Sequence, residues 1–143
     1  MDDKDTSILT LLQENARLSL SELARRSGLS RSTVQDRIAR MEQRGVIAGY
    51  GVRMGADVRA RQVRALVMLK IMPRAQDGVV GYCQREKAVR SLYTISGEFD
   101  LAALLVAETT AALDTALDAI GRQKGVERTQ TSVLLSTKFD RGD

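Results

Sequence analysis

Histidine and tryptophan are absent from this chain, which has one cysteine, one proline and only five aromatic residues among 143. Without histidine there is no usual general base, no Ser-His or Cys-His nucleophile pair, and no copy of the commonest metal ligand. One cysteine without histidine also excludes a structural zinc site. Cys83 has no partner for an internal disulfide, which suits a reducing cytoplasm, and its helical spacing from Val79 and Tyr82 marks it as a small core residue. The shortage of aromatics argues against stacking on single-stranded bases. No apolar run approaches the roughly 20 residues of a membrane helix, and the acidic start MDDKD is unlike a secretory signal. The glycines of GYGVRMG, at 49, 51 and 55, form neither a dinucleotide fingerprint nor a phosphate loop, and no helix start is expected after them. They read as turn glycines. No carboxylate pair stands apart from the helix charges, so neither catalytic residues nor a cofactor nor a metal is expected.

What is present concentrates in LSLSELARRSGLSRSTVQ, residues 18–35. Ser19 is placed to cap a helix whose third residue is Glu22, with Leu18 packing on Leu23, a capping box with a hydrophobic staple. Eleven residues later the start repeats: Ser30 caps, Leu29 precedes it and Val34 is its contact, with Thr33 in place of the Glu. Between them Gly28 supplies the left-handed residue that stops the first helix, so the turn is tight. The second helix should reach Gly45, with Val34, Ile38 and Met41 as a narrow apolar stripe. A helical wheel sends Ser32, Asp36, Ala39, Arg40 and Gln43 to the far side, with Arg31 and Gln35 on one flank and Thr33 on the other. An upstream helix over residues 3–14, carrying Ile8, Leu11 and Leu12, closes a small core. Short helix, tight turn and longer helix match a helix-turn-helix, whose second member enters the DNA major groove by its N-terminal residues.

Charge follows the same division. Residues 17–61 hold ten Lys and Arg against four Asp and Glu, whereas residues 62–143 hold eleven against ten. The positive field therefore sits around the helix pair. We divide the chain into a helix-turn-helix domain over residues 1–48, a linker over 49–61 and a second domain over 62–143. After Gly45, VIAGYGVRM alternates weakly, as a wing strand or a connecting strand, and GADVRARQVR is a polar hinge.

From Gln62 the pattern turns to strands alternating with helices. Val63, Ala65, Val67, Leu69 and Ile71 make one face of a strand ended by Pro73, and Leu66 and Met68 leave the opposite face partly apolar. A glycine-weakened helix over residues 76–86 and a strand over 89–96 follow. A continuous apolar strand over 99–107, a helix over 110–121 with Leu113, Ala116, Leu117 and Ile120 on one side, and a strand over 126–135 complete the pattern. Strand-helix-strand twice is the βαββαβ, ferredoxin-like order, so the fold class is α+β. Its antiparallel sheet has helices on one face, and the other face, with Leu66 and Met68, is expected to close a homodimer.

These residues resemble the Lrp/AsnC, or feast/famine, transcriptional regulators. DTSILTLLQENARLSLSELARRSGLSRSTVQDRIARMEQRGVIAGY is similar to their N-terminal winged helix-turn-helix domain, and SGEFDLAALLVAE with GVERTQTSVLL to their C-terminal effector and oligomerisation module. The resemblance implies a cytoplasmic DNA-binding transcriptional regulator that binds double-stranded DNA as a dimer, often assembled into tetramers or octamers, and responds to an amino acid held between subunits. Carried onto this chain, it implies DNA contacts from Arg31, Ser32, Thr33, Gln35, Arg37 and Arg40. Gln35 has the chemistry for adenine and Arg31 for guanine or phosphate, while Asp36 faces the same way and would repel phosphate unless paired. For the effector it implies Gly97 and Asp100 of the GEFD turn, with Thr129 and Thr131 on the closing strand. Asp100 is suited to an α-ammonium group and the threonines to a carboxylate. A plain hairpin turn and a strand of good β formers would use the same residues. Arg61 departs from the glycine common near this point of the family, so the hinge is expected to be stiffer or to touch DNA. Three alternatives stand beside this reading: a nucleoid-organising protein with little sequence preference, a metabolite sensor without DNA binding, and a tetrapyrrole decarboxylase, against which the missing histidine counts.

Overall fold

Asp2 begins the first helix, α1 (Asp3–Glu14), through a complete capping box: its carboxylate accepts from the Asp5 N–H at 2.9 Å, and Asp5 accepts from the Asp2 N–H at 3.4 Å. Ser19 caps α2 (Leu20–Ser27) by accepting from the Glu22 N–H at 3.1 Å. The box expected there is only half formed, because the Glu22 carboxylate turns along its own helix to Arg25. Gly28, at φ +74°, ends α2. Ser30 then caps α3 (Arg31–Gln43), accepting from the Thr33 N–H at 3.2 Å and donating to the Thr33 hydroxyl at 2.7 Å. Ile8, Leu23, Ala24, Val34 and Met41 form the buried core of the three helices, with Leu11, Leu12, Leu18, Leu29 and Ile38 packed around them.

The structure, a computed structural model, describes residues 1–142 and divides into two units, Met1–Val52 and Arg53–Asp143. Residues 46–55 take neither helix nor strand. The strand expected in VIAGYGVRM does not form: no strand among the described residues pairs with it, and Tyr50, Val52 and Met54 stand exposed. A helix does follow the glycines: α4 (Ala56–Ala60) starts at Gly55 inside the stretch expected to be an irregular hinge, with Arg61 at its C-terminal cap. No helix among the described residues is long and apolar enough to cross a membrane.

In the second unit, β1 (Val63–Ile71) leads through a 3₁₀ turn at Pro73–Ala75 into α5 (Gln76–Arg85), followed by β2 (Val89–Thr94), β3 (Leu101–Ala107), α6 (Thr110–Gly121) and β4 (Val126–Leu134). The four strands form one antiparallel sheet in the order β2-β3-β1-β4, the ferredoxin-like arrangement expected. β1 lies centrally, with Leu69 opposite Leu101 on one side and Thr129 on the other. The alternation read in β1 sets the two faces. Ala65, Val67, Leu69 and Ile71 are buried with Leu101, Ala103 and Leu105 of β3 beneath Val79 and Cys83 of α5 and Leu113, Ala116 and Ile120 of α6. Leu66, Met68, Ala102, Leu104 and Val106 point to the uncovered face, where Leu66 is 40% exposed and Tyr93 is 61% exposed.

β2 and β3 are shorter than expected because residues 95–100 close a turn: the Ile95 N–H donates to the Asp100 carbonyl at 3.0 Å and the Asp100 N–H to the Leu69 carbonyl at 2.8 Å. At the far end of α6, Gly125 has φ +91°, and a Cβ there would lie 2.1 Å from the Cβ of Ala75. Only glycine lets β4 start against the 3₁₀ turn, where the Met72 N–H donates to the Gly125 carbonyl at 2.8 Å.

Candidate functional site

The N-terminal half of α3 is presented by its own seam. Val34 is fully buried and Met41 is 3% exposed, which sends Arg31, Ser32, Gln35, Asp36, Ala39, Arg40 and Gln43 to the surface. Four of the six expected DNA-binding residues, Arg31, Ser32, Gln35 and Arg40, thus lie together on one exposed side. Arg31, Gln35, Asp36 and Arg40 make no ion pair among the described residues, and the exposed Ser32 hydroxyl shares a 3.3 Å hydrogen bond with the Ser30 hydroxyl. Thr33 is half-buried at the cap, where its hydroxyl accepts from Ser30.

Arg37 departs from the expected set. Its Nη1 donates to both carboxylate oxygens of Asp2 at 2.8 Å and to Asp5 at 3.0 Å, and its side chain is only 16% exposed. Its Nε is buried without a partner. This guanidinium faces the N-terminus of α1, not the surface that the other residues share. The Asp5 N–H and then the Arg37 guanidinium hold the Asp2 carboxyl down to about 2.

On the sheet, Gly97 sits at the turn with φ +105° and open space where a side chain would stand. Asp100 is less free than expected. Its Oδ2 accepts from the Ile71 N–H at 2.9 Å, at the bulge between Lys70 and Ile71 of β1, and lies 3.9 Å from the Lys70 ammonium. This carboxylate satisfies a backbone donor that the bulge leaves without a strand partner. Thr129 and Thr131 lie on β4 opposite Leu69 and Val67, exposed, so Asp100 and Thr129 share one end of the sheet.

Arg128 is a residue that the sequence reading missed. It pairs with Glu98 and lies 4.9 Å from the Phe99 ring centroid, tying the turn to β4. Its partners stand about thirty positions away, which leaves no local pattern to read. Two larger hollows exist in this unit, one of about 510 Å³ beside α4 and the last residues described, the other of about 670 Å³ between α5 and β2. Gly97, Asp100, Thr129 and Thr131 line neither. Cys83 is 2% exposed and burial pushes its thiol up, so it packs as the small apolar residue expected.

Comparison with known proteins places both units. A family model described as winged helix-turn-helix DNA-binding matches residues 1–48, and one described as the Lrp/AsnC ligand binding domain matches residues 64–143. The chain is 33% identical over 140 residues to the HTH-type transcriptional regulator LrpA of Mycobacterium tuberculosis, covering 97% of this chain and 93% of that protein. A transcriptional regulator from Neisseria meningitidis, solved as a complex with L-methionine, superposes with a TM-score of 0.89 at 25% identity over 98% of this chain and 93% of that one. A feast or famine regulatory protein from M. tuberculosis, also complexed with L-methionine, gives 0.86 at 32% identity over 97% and 95%. With its helix pair matched at one end and its ferredoxin-like sheet at the other, the chain belongs to the Lrp/AsnC family of DNA-binding transcriptional regulators.

Proposed function

We propose that this regulator reads a two-half-site operator as a homo-oligomer in the cytoplasm, and that an amino acid held between subunits modulates it. The observation that carries the DNA half is the exposed cluster Arg31, Ser32, Gln35 and Arg40 over the buried Val34 seam. In a major groove Gln35 suits a bidentate adenine contact, Arg31 suits guanine or phosphate, and Arg40, two turns further along, suits phosphate. Asp36 then discriminates against sequences that crowd it with phosphate and accepts from a cytosine amino group.

The uncovered sheet face supports the oligomer. Leu66, Met68, Leu104, Val106 and Tyr93 form a contiguous apolar patch that a second copy would bury. For the effector, the turn at Gly97 and the Thr129 and Thr131 hydroxyls retain the role the family resemblance implies, and Asp100 keeps its second carboxylate oxygen for a ligand ammonium. Neither of the two hollows described above is lined by these residues, which favours a site completed by another subunit. The ligand shifts DNA binding only as far as its affinity differs between two assemblies. No step of this role asks for catalysis.

Footprinting on a duplex selected from a random pool tests the first half: two protected half-sites are expected, and protection that spreads without boundary would replace operator reading by low-specificity packaging. Gln35→Ala should relax sequence preference by about 1–3 kcal/mol at one base pair. Arg40→Ala should weaken all duplexes alike and lower the salt slope by about 0.9. Calorimetric titration with the twenty amino acids tests the second half, and a flat response to all of them would remove the effector while leaving DNA binding intact.

A further inference from the structure

The Arg37 contact is unusual in its helix. Every other basic residue of α3 is exposed, yet this one reaches three carboxylate oxygens on the first turn of α1, and both Arg37 and Asp5 are only 16% exposed. An arginine turned onto two carboxylates cannot also neutralise a phosphate. Asp2 and Asp5 are otherwise a liability, since they place negative charge in a unit that must approach DNA.

A physical need accounts for them. Five buried side chains hold the three helices together. Apolar contact is non-directional, so a narrow seam resists separation of the helices far better than rotation of one about its own axis. The outer ends of α3 side chains lie about 5–6 Å from that axis, so a 15° turn displaces them by about 1.5 Å. Base-edge hydrogen bonds tolerate only a few tenths of an ångström around 2.9 Å. Guanidinium to carboxylate bonds are directional and anchored at both ends. Arg37 lies next to the seam, beside Ile38 and one turn after Val34, where such a bond has leverage on the helix's rotation.

We propose that Arg37 is a positioning residue for operator reading: gripped by Asp2 and Asp5 of α1, it sets the rotation of α3 and hence the aim of Arg31, Ser32 and Gln35. The two aspartates then serve sequence discrimination even though their charge opposes DNA. This makes a prediction opposite to simple electrostatics. Replacing both carboxylates by amides removes two negative charges and should tighten binding to any duplex, but the loss of aim should weaken binding to the preferred one.

The test uses the full chain with Asp2→Asn and Asp5→Asn together, because Asn retains the N-cap of α1. Its probes are a duplex enriched by the unaltered protein from a random pool and a scrambled duplex of equal length. The expected result is at least a tenfold fall in the ratio of enriched to scrambled affinity, with scrambled affinity unchanged or increased. A rise of both affinities by the same factor would overturn the proposal, leaving the aspartates as mere charge. Arg37→Met guards against misfolding: it keeps an unbranched apolar stem and loses the guanidinium whose Nη1 makes all three contacts, so the same fall in ratio is expected with an unchanged salt slope. A ratio equal to that of the unaltered protein in a folded Arg37→Met chain overturns the proposal, as does a slope reduced by about 0.9, which would mark Arg37 as a phosphate ligand.

Discussion

The two units reach defined geometry by different means. The helical unit has five buried side chains and relies on directional bonds: three side-chain caps, a left-handed glycine and the Arg37 clamp. The sheet unit buries thirteen residues from the two central strands and two helices, all of them apolar or Cys83, so its geometry is set by shape. The contrast suits their tasks. A reading helix must leave most of its own surface bare for DNA, so little remains to bury and polar bonds must orient it. A ligand-binding domain can bury one whole sheet face under its helices.

Core truncation probes that contrast most strongly. Ile8→Ala and Leu105→Ala should each cost about 2–5 kcal/mol. In the helical unit that loss should abolish DNA binding and unfold much of the helix signal at 25 °C, whereas the sheet unit should survive with a lower denaturation midpoint. Equal tolerance in circular dichroism would mean that the small core is not the weaker one. Within the sheet unit, glycines separate fit from backbone freedom. Gly125→Ala drives a Cβ into Ala75 and should cost about 3 kcal/mol, while Gly97→Ala meets open space and should cost about 1 kcal/mol for its left-handed backbone. Matching denaturation midpoints for the two variants would remove the case for tight packing there.

Smaller effects sharpen the helical side. Ser30→Ala removes the cap of α3 and should destabilise by about 1 kcal/mol, read from thermal unfolding. The smallest lies at acid pH. Because the folded Asp2 carboxyl titrates at about 2 and the free one at 3.8, its contribution is full above the free value and is lost as pH falls through that window. The stability gap between Asp2→Asn and the unaltered chain should therefore persist at pH 7 and close by pH 2. A gap independent of pH would mean that Arg37 does not depend on that charge.

Local signals were the readable ones. Caps at Ser19 and Ser30, the stop at Gly28, the Val34 seam, β1 and α6 all follow from neighbours within a few residues, and the structure matches them. What is not legible in the sequence depends on distant partners. Arg37 was placed among the DNA contacts, although a wheel at 100° per residue sets it about 60° from Val34, on the seam side. That angle was a usable warning, but its carboxylate partners lie more than thirty positions away. Asp100 was read from its turn, and its bond to Ile71 arises only once β1 and β3 pair. The strand expected in VIAGYGVRM, residues 46–54, has the alternation but no pairing partner among the described residues.

The strand order leaves β4 on the rim, nine residues long and exposed along almost its whole length, with one row of backbone donors and acceptors unclaimed. Such a rim invites runaway ribbon growth between molecules, the route to fibrils. Glu127 and Arg128 put opposite charges near its start, and the Lys70 bulge breaks its straight pairing there. Heating that loosens this corner is therefore where insoluble material would be expected to nucleate.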